Sequence, residues 1–254
     1  MQQAAPDHDT LVDELEGQGA RLAAVVSATE LDAPVPTCPG WVVRDLVRHT
    51  GGVHRWATAH VALGRLAPVS PDEADAAFDA PDDDSLLAWF VAGHAALVTA
   101  LRAAGPERPC WSFLPGGAGS RFWARRQLHE TAIHRVDAES TVGDRTALRP
   151  ELAADGIDEL VRGFFSRPRN RFRADPPIVL AVRCTDAPGA WSVRAGPEGS
   201  TGSLGESDAD CTVTGPANDC YELLWNRRSA GEIDVAGDPA VLGAWGRLAT
   251  VTWS

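Results

Sequence analysis

The stretch HETAIHRVDAE, residues 129–139, carries two histidines and a glutamate at nearly the spacing of a zinc-protease motif. In the HExxH motif the histidines are four residues apart, so a helix directs both to one metal ion. Here His129 and His134 are five residues apart, which separates them by about 140° around a helix. Glu130 and His134 are four residues apart and lie nearly in line. The stretch predicts a helix whose Glu-His pair is either part of a metal site or an ordinary helical contact.

Helical periodicity runs through most of the chain before residue 175 and predicts four amphipathic helices. The first lies in DTLVDELEGQGARLAAVVSATE (residues 9–30), where Thr10 and Asp13 can form a capping pair. The second follows the breaker CPG, the third follows the acidic PDDDS, and the fourth runs from about Phe122 to Glu139. The predicted inward stripes of the first three are Leu11, Leu15, Leu22 and Val25; Val42, Leu46, His49, Val53 and Trp56; and Leu87, Phe90, His94, Leu97 and Leu101.

The residues after the RADPP segment (residues 173–177) follow a different pattern, in which apolar and polar residues alternate. IVLAVRC, AWSVRAG, CTVTG and IDVAG are predicted strands, and GPANDCYELLW and GDPAVLGAWGRL are predicted helices with proline near the first position. The sequence therefore predicts an α+β protein, with a four-helix bundle in residues 1–172 and a small α/β domain in residues 173–254.

Composition narrows the classes of partner. The 254 residues are 44% hydrophobic and 23% charged, with a net charge of -12, and the sequence pI is about 5.0. Such an acidic chain is not expected to bind nucleic acid, so we expect small-molecule partners. No apolar run approaches the roughly 20 residues of a membrane span, and the start MQQAAPDHDT has neither a basic nor a hydrophobic region. We therefore expect a cytoplasmic protein that does not bind membranes.

A three-residue metal site is the strongest functional candidate. His49 lies on the apolar stripe of the second helix, and Glu130 and His134 share a face of the fourth. Two imidazoles and a carboxylate form a common ligand set for zinc or another divalent metal, with one position left for water or substrate. His60 and His94 also lie on inward stripes and compete for the role, and periodicity cannot choose among them. A histidine with a satisfied hydrogen bond in the core explains each position equally well.

Four segments together resemble one enzyme family. They are CPGWVVRDLVRHTGGVHRWA (residues 38–57), RRQLHETAIHRVDAE (125–139), ADCTVTGPANDCYELLWNRR (209–228) and IDVAGDPAVL (233–242). The chain resembles the mycothiol-dependent maleylpyruvate isomerase family, which has a DinB-like metal-binding bundle followed by an α/β domain. The likeness implies that zinc is held by His49, Glu130 and His134.

Four further residues are predicted to lie around this site. Asp137 follows His134 by three residues and Asp45 precedes His49 by four, so each can orient an imidazole, although ion pairs with neighbouring arginines are equally compatible. The resemblance points to Trp41 as a pocket residue. Because a dicarboxylate substrate requires a cation, Arg228 is predicted to contact substrate or thiol from the second domain.

The resemblance also implies a reaction. A zinc ion with an open position lowers the pKa of a bound thiol, and the thiol would be mycothiol, which actinobacteria use. Addition of the thiolate to the cis double bond of maleylpyruvate, rotation and expulsion of the thiol would give fumarylpyruvate. The alternatives are a mycothiol S-transferase acting on another electrophile in detoxification or secondary metabolism, a zinc hydrolase, and a metal-binding regulatory module without turnover.

Overall fold

The structure, a computed structural model, describes residues 5–114, 119–167, 170–231 and 233–251. These residues form an α+β fold of helices followed by a five-stranded sheet, which confirms the predicted class. They divide into two compact units. The helical unit comprises residues 7–113 and 119–146, and the sheet unit comprises residues 147–251 with Ala5, Pro6 and Leu114.

The helical unit contains four long helices and one short one. They are α1 (His8–Ser27), α2 (Val43–Val61), α3 (Pro71–Ala77), α4 (Asp83–Ala104) and α5 (Gly119–Ser140). The four long helices pack against one another as the predicted bundle, and the short α3 occupies the long connection between α2 and α4. The side chain of Asp7 accepts a hydrogen bond from the Thr10 amide at 2.8 Å, so α1 begins at His8 and the predicted Thr10–Asp13 cap is wrong.

The inward faces of three helices differ slightly from the predicted stripes. Val26 is buried in place of Val25, Val43 in place of Val42, and Leu86 in place of Leu87. Together with Leu46 and Phe90 they belong to one core cluster. Neighbouring residues on a helix point about 100° apart, so only one of two adjacent apolar residues can face the core. The sequence pattern alone does not show which of the two is buried.

Helix α5 is buried along almost its entire length, although its sequence is mainly polar. Arg126 and Arg135 are fully buried, and each forms an ion pair with a glutamate four residues later. Arg126 Nη2 lies 2.8 Å from Glu130 Oε2, and Arg135 Nη1 lies 2.6 Å from Glu139 Oε2. Because the helix pairs its own charges at i,i+4 spacing, it can occupy the centre of the bundle without unpaired carboxylates.

Helix α4 is long and apolar enough to span a membrane, with a mean hydropathy of 1.5. Core helices of globular proteins share this property. In the structure, Leu86, Phe90, Leu97 and Leu101 of α4 are buried inside the helical unit.

The sheet unit begins with α6 (Pro150–Asp158), which continues as a π-helical segment (Glu159–Phe164). The strands are β1 (Ile178–Cys184), β2 (Ala190–Gly196), β3 (Gly199–Leu204), β4 (Cys211–Gly215) and β5 (Asp234–Gly237), in the order β3-β2-β1-β4-β5. β1 pairs with β4 in parallel, and the other pairs are antiparallel. Helices α7 (Ala217–Leu224) and α8 (Pro239–Leu248) complete the unit.

The division between the units comes earlier than the predicted boundary after residue 172. Helix α6 packs against α7, and the π-helical segment packs against β3. Residues 147–167 are therefore held by the sheet unit. Helices α3 and α6 and the glycine- and serine-rich β3 were not predicted from the sequence, because their apolar patterns are too short or too weak to show a period.

Candidate metal centre

Three side chains from two helices converge in the helical unit. His49 projects from α2, and Glu130 and His134 project from α5. His49 Nε2 lies 3.2 Å from Glu130 Oε1, and His134 Nε2 lies 3.3 Å from the same oxygen. One donor atom from each residue lies within 4.8 Å of the other two. The three side chains thus present two imidazole nitrogens and one carboxylate oxygen to a single point.

This spacing fits a small tetrahedral metal ion. Zinc binds nitrogen and oxygen ligands at about 2.0–2.2 Å, so two ligands of a tetrahedral site stand about 3.3 Å apart. The two nitrogen–oxygen distances, 3.2 and 3.3 Å, match that value. Glu130 and His134 are buried, whereas the His49 side chain is 19% exposed. The donor set is therefore enclosed on the α5 side and accessible beside His49.

The second oxygen of Glu130 is already bound by the protein. Arg126 Nη2 donates to Glu130 Oε2 at 2.8 Å, and both side chains are buried. Burial alone would favour the neutral acid, but His134, His49 and Arg126 hold the pKa of Glu130 well below its usual value. Glu130 is therefore ionised, with Oε2 fixed by Arg126 and Oε1 directed at the histidines.

Asp137 holds the His134 ring from the other side. His134 Nδ1 lies 2.9 Å from Asp137 Oδ2, and the Thr37 hydroxyl donates to Asp137 Oδ1 at 2.6 Å. Burial opposes the imidazolium, but Asp137 and Glu130 together raise the pKa of His134 to about 9. Asp137 keeps a proton at Nδ1, so Nε2, which faces Glu130, is the atom that binds a metal once the metal displaces its proton, the usual arrangement for a metal-binding histidine.

Comparison with known proteins identifies the family. A family model described as the mycothiol maleylpyruvate isomerase N-terminal domain matches residues 12–139, and the corresponding C-terminal domain model matches residues 151–244. The chain belongs to the mycothiol-dependent maleylpyruvate isomerase family. This confirms the resemblance carried by the four sequence segments. A comparison with curated protein sequences finds no match.

Two solved structures share the fold of this family member. They are crystal structures of a mycothiol-dependent maleylpyruvate isomerase and of a histidine-to-alanine mutant of such an enzyme, with TM-scores of 0.62 and 0.64. Each is 13% identical in sequence, and each alignment covers 92% of this chain and 96% of the other. At this identity the likeness shows the fold.

Trp41 lies against the donor set of this family member. Its ring centroid is 5.1 Å from that of His49 and 6.2 Å from that of His134, and it is nearly parallel to the His134 ring, at 14°. The tryptophan is half-buried. It therefore forms an apolar wall beside the accessible imidazole, and a contact of Trp41 with substrate or thiol stays a prediction.

The structure gives other partners to two residues predicted to be near the site. Among the described residues, the Asp45 carboxylate accepts from the Val42 amide at 3.0 Å and caps α2, and it forms no hydrogen bond with His49. A carboxylate three residues into a helix lies beside the free amides of the first turn, which explains the difference. In the sheet unit, Arg228 forms an ion pair with Asp219. A contact of Arg228 with substrate or thiol stays a prediction.

The competing histidines are occupied elsewhere. His60 Nδ1 bonds the Trp56 carbonyl at 2.9 Å, and its Nε2 accepts from the Val69 amide at 3.3 Å. His94 packs beside the buried His54, with ring centroids 5.1 Å apart. Both therefore belong to the packed interior and not to the three-residue donor set.

Three further residues support the site, and none was predicted in that role from the sequence. Arg126 had a local signal, since it precedes Glu130 by four residues, the spacing of a helical ion pair. Thr37 and Cys38, which donate to the two oxygens of Asp137 at 2.6 and 3.3 Å, had none. They lie about 100 residues away along the chain, so only the tertiary fold brings them there.

Proposed function

We propose that this protein is a metal-dependent isomerase that uses mycothiol to convert maleylpyruvate to fumarylpyruvate. The observation that carries the proposal is the donor set of His49, Glu130 and His134, enclosed on one side and open beside His49. Family membership supports the thiol and the substrate class. The donor set supports a bound zinc or similar divalent ion.

The charge of the donor set suits a thiol. Two neutral imidazoles and one carboxylate leave a net charge of about +1 on a bound divalent ion, which lowers the pKa of a thiol placed beside it. Mycothiol bound there would supply a thiolate, which would add to the cis double bond and leave again after rotation. The cofactor is therefore regenerated in every turnover.

The protein's own residues keep the site fixed during this cycle. Arg126 and Asp137 each hold the far side of one ligand, so Glu130 Oε1 and His134 Nε2 need no reorientation. Trp41 covers the two imidazoles with an apolar face. A wall of this kind excludes water from the nucleophile, and it offers contact area for a carbon chain.

Metal content tests the proposal first. Elemental analysis after dialysis should find near one zinc per chain in the wild type and a strong loss in His49→Ala, Glu130→Ala and His134→Ala. His60→Gln changes a histidine of the same helix that bonds backbone groups, and it should keep the metal. If all three alanine variants retain stoichiometric metal, the site is wrong.

The reaction is tested with mycothiol and maleylpyruvate. Isomerisation that needs mycothiol without consuming it, and that the three alanine variants lose, supports the proposal. Consumption of mycothiol on other electrophiles without isomerisation would replace the proposal with an S-transferase. Hydrolysis of esters or amides without added thiol would replace it with a hydrolase, and the absence of any turnover would favour a binding module.

A further inference from the structure

Two of the five cysteines meet in the sheet unit, apart from the metal centre. Cys184 is the last residue of β1, and Cys220 lies in α7, which follows β4 directly. Across the parallel pair of β1 and β4, Cys184 is the ladder partner of Gly215. The chain thus brings both residues to the end of the same pair of strands.

The sulfur of Cys220 lies over this glycine. A Cβ atom built on Gly215 would stand 3.7 Å from Cys220 Sγ. Ladder partners in a parallel pair are about 4.8 Å apart, and they project their side chains to the same face of the sheet. Cys184 therefore projects to the face on which Cys220 Sγ rests, and the missing side chain of Gly215 leaves room between them.

The two cysteine side chains therefore lie on the same face of the sheet, at the end of the β1–β4 pair. Cys211, the other cysteine of this unit, starts β4 and is separated from Gly215 by four residues. At about 3.3 Å per residue it stands about 13 Å away along the strand and cannot join the pair.

One member of the pair is accessible and the other is not. Cys184 is half-buried and lines a cavity of about 690 Å³ together with Arg183 and Trp191, whereas Cys220 is fully buried. A small reagent in the cavity therefore reaches Cys184 first. Cys220 stands behind it, in position to attack whatever Cys184 carries.

We propose that Cys184 and Cys220 form a reversible disulfide by exchange with small disulfides that enter this cavity. In the first step the Cys184 thiolate attacks a disulfide X–S–S–X, whose S–S bond breaks and releases one X–S⁻. In the second step Cys220 loses its proton and attacks Cys184 sulfur, which releases the second X–S⁻. Two protein thiols are oxidised, one small disulfide is reduced to two thiols, and atoms and electrons balance.

The disulfide of 2-mercaptoethanol is a suitable probe for the full-length protein. The wild type, incubated with it and then denatured and alkylated, should lose about 2 Da and retain three of its five thiols. A peptide map should show Cys184 joined to Cys220, and dithiothreitol should reverse the change. The reaction needs neither metal nor mycothiol, so its outcome is independent of the proposed activity.

Serine variants separate the two roles. Cys220→Ser should stop at a mixed disulfide on Cys184, since no second thiol resolves it, and Cys184→Ser should react slowly at Cys220. Cys211→Ser is the matched control in the same unit and should still form the bond. A stable mixed disulfide on Cys184 of the wild type, or a bond that involves another cysteine, would overturn the proposal.

Discussion

Replacing Arg126 by methionine should destabilise the helical unit strongly, because it leaves the Glu130 carboxylate buried without its main partner. Glu130 is 2% exposed, and Arg126 Nη2 stands 2.8 Å from its Oε2. At an effective dielectric constant of about 20, two unit charges at this distance attract by about 6 kcal/mol. Removing one partner of a buried pair costs about 3–5 kcal/mol. Since His49 and His134 still face Oε1, we expect about 3 kcal/mol.

Urea denaturation of the metal-free protein, followed by circular dichroism, measures this cost because the helices of the bundle dominate the signal. Arg102→Met is the matched control. Arg102 forms ion pairs with Asp13 and Glu16 at the surface, where it is 48% exposed, so its loss should leave the free energy of unfolding almost unchanged. Equal losses of unfolding free energy in Arg126→Met and Arg102→Met would refute the explanation by a buried, unpaired charge.

A double variant tests the cause. In Arg126→Met with Glu130→Gln neither charge of the buried ion pair remains. The double variant should therefore lose about 2–3 kcal/mol less unfolding free energy than the sum of the losses in the two single variants. Simple additivity would mean that Arg126 contributes packing alone.

Three other predictions concern single positions. Asp137→Asn should weaken zinc binding by about 10- to 100-fold, because the amide no longer fixes the proton of His134; competition with a chelator measures this. Burial lowers the pKa of His54 well below the ordinary value of about 6.5, so at acidic pH the unfolded chain binds a proton that the native state does not bind. Stability should fall as pH drops below about 6.5, by at most about 1.4 kcal/mol per unit from this group, and less in His54→Gln. Gly202→Ala places a Cβ 2.0 Å from the Val161 carbonyl oxygen, and it should cost about 1–3 kcal/mol or more in the thermal unfolding of the sheet unit.

Each of these three predictions has a control within the same protein. Thr37→Ser keeps the hydroxyl that bonds Asp137, so the zinc affinity of this variant should change little. A loss of affinity equal to that of Asp137→Asn would argue against the role of Asp137 in orienting His134. An unchanged pH slope in the His54 variant would assign the acid sensitivity to other groups. Gly17→Ala meets no atom within 4 Å and should stabilise α1 by about 1 kcal/mol, which isolates the steric origin of the Gly202 effect.

The sequence predicted the parts of the fold that depend on neighbours along the chain. The four long helices, the change to strands after residue 175 and the contact between Glu130 and His134 all follow from side-chain spacings of two, three and four residues. The i,i+4 geometry of a helix fixes the last of these before any packing occurs. Short elements such as α3 and β3 escaped prediction because a few residues do not establish a period.

The choice of His49 over His60 and His94 was made by tertiary structure. All three lie on inward stripes, since a helical pattern repeats at every turn, and the pattern holds no information on which turn faces which helix. His49 and Glu130 are 81 residues apart in sequence, as Thr37 and Asp137 are 100 apart. Only the packing of α2 against α5 sets their distances, because the register of two packed helices depends on side-chain shapes along the whole contact. The sequence by itself therefore determined the helices and the donor types, and the three-dimensional packing decided which donors meet.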